Sequence, residues 1–92
     1  MNKIELSHAI REKVLKLTNA AFPAKKDFSF VDDFGFQLGN PDATARDLII
    51  VTLHSMVKYG EIEIIDIEGD DGFSVVLSME KYQSFNAKST QD

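Results

Sequence analysis

His54 and Ser55, with Asp47 upstream, are the residues whose types first suggest catalysis. They sit in an apolar-periodic stretch that reads as helix. Neighbours on a helix diverge by about 100°, so His54 and Ser55 cannot pair as base and nucleophile. Asp47 lies seven residues before His54, on the same face but two turns away. A triad needs three converging groups, and this stretch does not supply them. His8, in the first turn of the N-terminal helix, reads as a polar surface residue. The chain has no cysteine, which removes disulfides, thiolate metal sites and cysteine nucleophiles.

The acidic run Asp66-Ile67-Glu68-Gly69-Asp70-Asp71-Gly72 resembles a calcium-binding loop. With Asp66 as first ligand, however, the sixth place is Asp71 where glycine is needed, and the twelfth is Leu77 where glutamate is needed. An ordinary hairpin loop accounts for it better. There is no glycine-rich phosphate loop, no His-Glu-x-x-His and no dinucleotide fingerprint. No enzymatic activity, metal or cofactor is expected, and no small-molecule substrate is evident.

Four elements would have to position whatever surface does function. Leu6, Ile10, Val14, Leu17 and Ala21 recur at helical spacing, which predicts an amphipathic helix over residues 3–21. Asn2 caps it, Glu5 can reach back as in a capping box, and Pro23 ends it. In residues 24–40, Phe28, Phe30, Phe34, Phe36 and Leu38 all fall on even positions, the period of a strand with one buried face. Asp32-Asp33 reads alternatively as a turn between two short pieces. A second helix is predicted over residues 41–59, with Asn40 as cap, Pro41 at the first helical position and Gly60 just past the end. Its stripe is Ala45, Leu48, Ile49, Thr52, Leu53 and Met56. Ile50, Val51 and Val57 lie off that stripe, so this helix is apolar around much of its girth. Residues 61–68 and 73–79 predict a β-hairpin, followed by a short helical turn at Glu80–Phe85 and a flexible tail over 87–92.

The hairpin conflicts with itself. A loop of Asp70-Asp71-Gly72, closed by Gly72 in the left-handed region, places Ile65, Ile67, Phe73, Val75 and Leu77 on one face. The same register puts Ile62 and Ile64 on the other face beside Val76, and turns Glu61 and Glu63 inward, where an unpaired carboxylate is costly. A β-bulge near Ile64-Ile65 would restore both isoleucines to the core. Otherwise Ile62, Ile64 and Val76 form an exposed patch for a partner. The bulge is favoured, because a small domain gains from every apolar residue it buries.

Ninety-two residues, 43% hydrophobic and 27% charged, make one globular domain over residues 1–86 and exclude wholesale disorder. The lack of cysteine and of a signal-type apolar segment predicts a cytoplasmic protein with no membrane association. Charge is uneven. Residues 1–30 hold six cations against three acids, net +3, and residues 31–92 hold four against twelve, net −8.

Two resemblances bear on function. Ser29-Phe30-Val31-Asp32-Asp33-Phe34-Gly35-Phe36 resembles the segment of acyl carrier proteins before their carrier serine. Gln37-Leu38-Gly39 stands where that motif has Asp-Ser-Leu, so the serine that carries phosphopantetheine is missing. The order of helix, extended segment, long helix and hairpin is similar to a winged-helix domain, with 41–59 as recognition helix and 69–72 as wing tip. That resemblance implies DNA binding, yet the helix offers only Arg46 and Lys58 against Asp42 and Asp47, and the tip carries Glu68, Asp70 and Asp71. DNA affinity rests on cations facing phosphates, so duplex DNA is not expected as a partner. The fold class expected is α+β: an N-terminal helix, a short Phe-rich extended segment, a long second helix and a C-terminal antiparallel hairpin. The leading functional expectation is a small non-enzymatic protein-interaction module, a regulator, adaptor or inhibitor of another protein, or a homodimer. It would serve as an accessory factor of a bacterium or phage. The candidate interaction residues are Ile62, Ile64, Val76, Asp66, Glu68, Asp70 and Asp71. The alternative is a winged-helix-type nucleic-acid-binding transcriptional regulator using the basic N-terminal third.

Overall fold

The computed structural model describes residues 3–38, 43–68 and 71–90, as backbone only at 35–38, 43–45, 68 and 87–90. The chain runs α1 (Lys3–Ala21), β1 (Lys26–Ser29), α2 (Phe30–Leu38), α3 (Ala43–Lys58), β2 (Ile62–Glu68), β3 (Gly72–Leu77) and α4 (Met79–Thr90). The three strands form an antiparallel sheet in the order β1-β3-β2. This is an α+β fold with the N-terminal helix, long helix and C-terminal hairpin expected. The order through β3 follows the helix, extended segment, long helix and hairpin expected, with β1 joined to the hairpin and α2 inserted before α3. No helix among the described residues is long and apolar enough to cross a membrane.

α1 buries Ile10, Val14, Leu15 and Thr18. Its inward face is thus turned slightly from the expected stripe, and Leu6, Leu17 and Ala21 are only half-buried. Thr18 is tolerated inside because its hydroxyl donates to the Val14 carbonyl at 2.6 Å. α3 buries Ile49, Thr52, Leu53 and Met56 as the periodicity predicts. The predicted cap residues Asn40, Pro41 and Asp42 lie outside the described residues. The other end closes as predicted. Gly60 has φ +72, its N–H donates to the Val57 carbonyl at 3.0 Å, and the Glu61 N–H donates to the Met56 carbonyl at 2.9 Å. Those two bonds are the paired closures of a Schellman motif, which only glycine adopts without steric cost.

The even-numbered phenylalanines do not mark a strand beyond residue 29, nor is Asp32-Asp33 a turn. Residues 30–38 are helical. Ser29 caps this helix, its hydroxyl accepting from the Asp32 N–H at 3.1 Å while Asp33 Oδ2 accepts from the Ser29 N–H at 2.6 Å. This reciprocal pair is a capping box displaced by one residue. Phe30 and Phe34, four apart, therefore share a helical face. With Phe28 they surround Phe73 on the central strand at ring distances of 5.0–5.8 Å. All four rings are buried.

The hairpin pairs Glu68 with Gly72, Ile67 with Phe73 and Asp66 with Ser74, then shifts so that Ile64 faces Val75 and Ile62 faces Leu77. The bulge therefore falls at Ile65, where the sequence places it. The turn itself differs from expectation. Gly72 is already in β3, and its φ is not positive. The register near the tip is displaced by two residues, which leaves the facing parity unchanged. Gly72 is needed for another reason: a Cβ there would sit 1.9 Å from the Phe28 carbonyl oxygen of β1. α4 extends through Thr90, well past the expected turn, so the first four residues of the proposed tail are helical.

The bulge divides the isoleucines of β2 by environment. Ile62 is 1% exposed and Ile65 54%. Ile62→Asp should cost more than about 4 kcal/mol or unfold the domain, whereas Ile65→Asp should cost less than about 1 kcal/mol. Urea titration of the two variants measures this. Equal losses would mean that the bulge lies elsewhere.

Candidate interaction surface

The proposed hairpin patch is not assembled on the surface. Ile62 is in the core and Ile64 packs partly against it. Both face the helices because the extra residue at position 65 switches parity. Val76 is half-buried on the opposite face, across from Glu63. Asp66 and Asp71 are exposed. Asp70 and the Glu68 side chain lie outside the described residues. The outer face of the sheet thus presents Asp27, Glu63 and Asp66, together with Ile65.

The sequence reading missed a charged node at the α3–β2 corner. Glu61 is buried, and both carboxylate oxygens are used. Arg11 Nε of α1 donates to Oε1 at 3.0 Å, Arg11 Nη2 donates to Oε2, and Lys81 Nζ of α4 lies 3.4 Å from Oε2. Burial alone would push the Glu61 carboxyl up. The hydrogen bond and charge of Arg11, then those of Lys81, outweigh it and hold the group below its ordinary value. Arg11 is held above its ordinary value, chiefly by the same hydrogen bond. The backbone completes the joint. Ser78 caps α4, its hydroxyl accepting from the Lys81 N–H at 3.1 Å and donating to the Gly60 carbonyl at 2.6 Å. Phe22, after α1, stacks on Tyr82 of α4 at 4.0 Å.

This node alters the meaning of the basic N-terminal third. Arg11 is turned to Glu61. Lys13 donates to the Asp33 carbonyl and lies 5.5 Å from the Phe34 ring centre. Lys25 lies 3.8 Å from Asp27. Half of the six cations therefore serve contacts within the chain. On α3 the outward stripe is Asp47, Val51, His54 and Lys58, all exposed. Its charges cancel, and Val51 at its centre is 64% exposed.

Exposed apolar side chains gather where α3 ends and α4 begins. Val57, Ile62 and Met79 line a shallow pocket of about 350 Å³ together with Gly60, Glu63, Ser78 and Glu80. Met79 is 59% exposed, and Tyr59, beside Gly60 in the chain, is 74% exposed. A second, acidic depression is lined by Asp27, Ser29, Asp32, Asp33 and Asp71. Asp33 is occupied as a cap, and Asp27 accepts from the Ser74 hydroxyl at 2.5 Å. Among the described residues no three His, Cys, Asp or Glu side chains converge for a metal.

The Glu61 node should give stability a defined pH dependence. Its folded-state pKa lies below the unfolded one. Its contribution is therefore complete above the ordinary carboxylate range and is lost as pH falls through the folded value. Glu61→Gln should lose about 1–3 kcal/mol at pH 7, and the deficit against wild type should shrink as acid protonates Glu61. Urea titrations across that range decide it. A deficit that does not change with pH would assign the loss to packing.

No protein-family model matches this chain, and neither the curated proteins nor the solved structures include a significant match to it.

Proposed function

We propose that this chain is a non-enzymatic protein-interaction module, a regulator, adaptor or inhibitor that recognises another protein or a second copy of itself. The observation that carries the reading is the engagement of Arg11 and Lys13 within the fold, with Lys25 in a looser surface pair with Asp27. A winged-helix domain that reads DNA places cations on its third helix, its wing and the helix crossing the backbone. Here the α3 stripe is electrically balanced, the described wing residues are acidic, and half of the cations of the first thirty residues are already paired. An exposed valine at the centre of that helix suits a dry protein contact better than a phosphate backbone.

The element order favours a second reading, a nucleic-acid-binding transcriptional regulator. Fluorescence anisotropy with random-sequence duplex near physiological salt separates the two. The proposal expects no saturable binding at micromolar protein. Sub-micromolar binding that weakens steeply with salt would overturn it. Val51→Asp supplies the positive arm. It should leave stability within about 0.5 kcal/mol, since the side chain is exposed, while abolishing photo-crosslinking of a discrete protein from a probe at position 54. Unchanged crosslinking would remove the α3 face from the interface.

A further inference from the structure

Resting on the protein-interaction reading, we propose that the pocket between the end of α3 and the start of α4 receives one apolar side chain of a cationic peptide segment. Three features of the pocket point to that occupant. Its apolar surface is held in place: Val57, 39% exposed, stands on the last turn of α3 just before the Schellman closure, and Ile62, which also lines the pocket, is 1% exposed and fixed in the core. Its wall is adaptable, because Met79 is exposed at the first position of α4 and its unbranched thioether can follow the shape of an incoming group. Its rim is negative. Glu63 and Glu80 line it, no cation does, and neither carboxylate has an ion-pair partner among the described residues. The nearest candidate on α4, Lys81, is turned to Glu61 and lies 5.0 Å from the Phe85 ring centre.

The exposed Val57 and Met79, flanked by the Glu63 and Glu80 carboxylates, are complementary to a leucine-like anchor flanked by lysine or arginine. The same rim repels nucleic acid and acidic peptides. A pocket of about 350 Å³ has room for one side chain of that size, not for a folded domain. The Schellman bonds, the Ser78 N–H donating to the Glu61 carbonyl and the Ser78 hydroxyl donating to the Gly60 carbonyl hold the walls, so the site exists before the partner arrives and little ordering cost falls on binding.

Methionine methyl groups report on this site directly. The chain contains Met1, Met56 and Met79, of which Met56 is buried. The full chain, labelled with ¹³C-methyl methionine, is titrated with the peptide Ac-KRLRK-amide. The Met79 methyl should shift saturably while that of Met56 stays in place. Changing the peptide leucine to serine should weaken binding by at least about tenfold, and Glu63→Gln with Glu80→Gln should weaken it by roughly tenfold. The acidic peptide Ac-EELEE-amide should not bind. A silent Met79 methyl, affinity indifferent to the leucine, or equal binding of the acidic peptide would each overturn the proposal. So would a Met79 shift that depends on protein concentration without peptide, which would make a second copy the occupant. Any of these with the Val51-dependent crosslink intact refutes this pocket and leaves the interaction reading standing, whereas tight salt-sensitive DNA binding refutes the reading itself.

Discussion

The structure depends on one face of β3. Phe73, Val75 and Leu77 project from the central strand toward the helices, and all three are buried. The elements before it in the chain gather around that face. β1 and α2 bring Phe28, Phe30 and Phe34 around Phe73, while α1 and α3 contact the sheet from the same side. β2 could contribute only two of its isoleucine positions beyond the tip if its alternation ran unbroken. The extra residue at Ile65 removes that limit, so Ile62, Ile64 and Ile67 all turn inward and Glu63 turns out. A domain of this length has little core to spare, and one unpaired strand residue is a small cost for a third inward isoleucine.

The same corner explains how a fourth helix is held. Glu61 follows the Schellman glycine and precedes β2, so the backbone fixes its position. From there it reaches Arg11 on α1 and Lys81 on α4. A carboxylate buried without such partners would be costly. With them it joins three elements through one carboxylate, using a cation of the basic N-terminal third. The ion pairing that holds α4 thus also occupies Arg11 of the basic N-terminal third, while the apolar groups Val51, Tyr59 and Met79 stay exposed.

The sequence made α1, α3, the hairpin and the bulge legible because each rests on a period. Leu53 and Met56 mark a helical face, Phe73 to Leu77 mark a strand face, and the misfit of Ile62 and Ile64 with that face favoured a bulge over an exposed patch. Residues 30–38 were misread because phenylalanines spaced by even numbers satisfy a strand period and, at Phe30 and Phe34, a helical one as well. The distinguishing signal was present in Ser29-x-x-Asp32-Asp33, a cap that a strand does not need. Gly72 was legible as a required glycine but not for its cause, since the approach of the Phe28 carbonyl is a contact across more than forty residues. Glu61, Arg11 and Lys81 were not legible as a group for the same reason. Each is an ordinary surface residue by type, and only the topology makes them neighbours.

The parity switch is the claim on which the core, the corner and the identity of the exposed surface all rest, and deleting Ile65 tests it most directly. Removal of the bulged residue leaves Ile62, Ile64 and Ile67 inward and Glu63 and Asp66 outward in one regular strand. The deletion variant should therefore unfold cooperatively in urea with a loss below about 1.5 kcal/mol relative to wild type. A variant that fails to fold, or that loses as much as a core truncation of about 2–5 kcal/mol, would contradict the account.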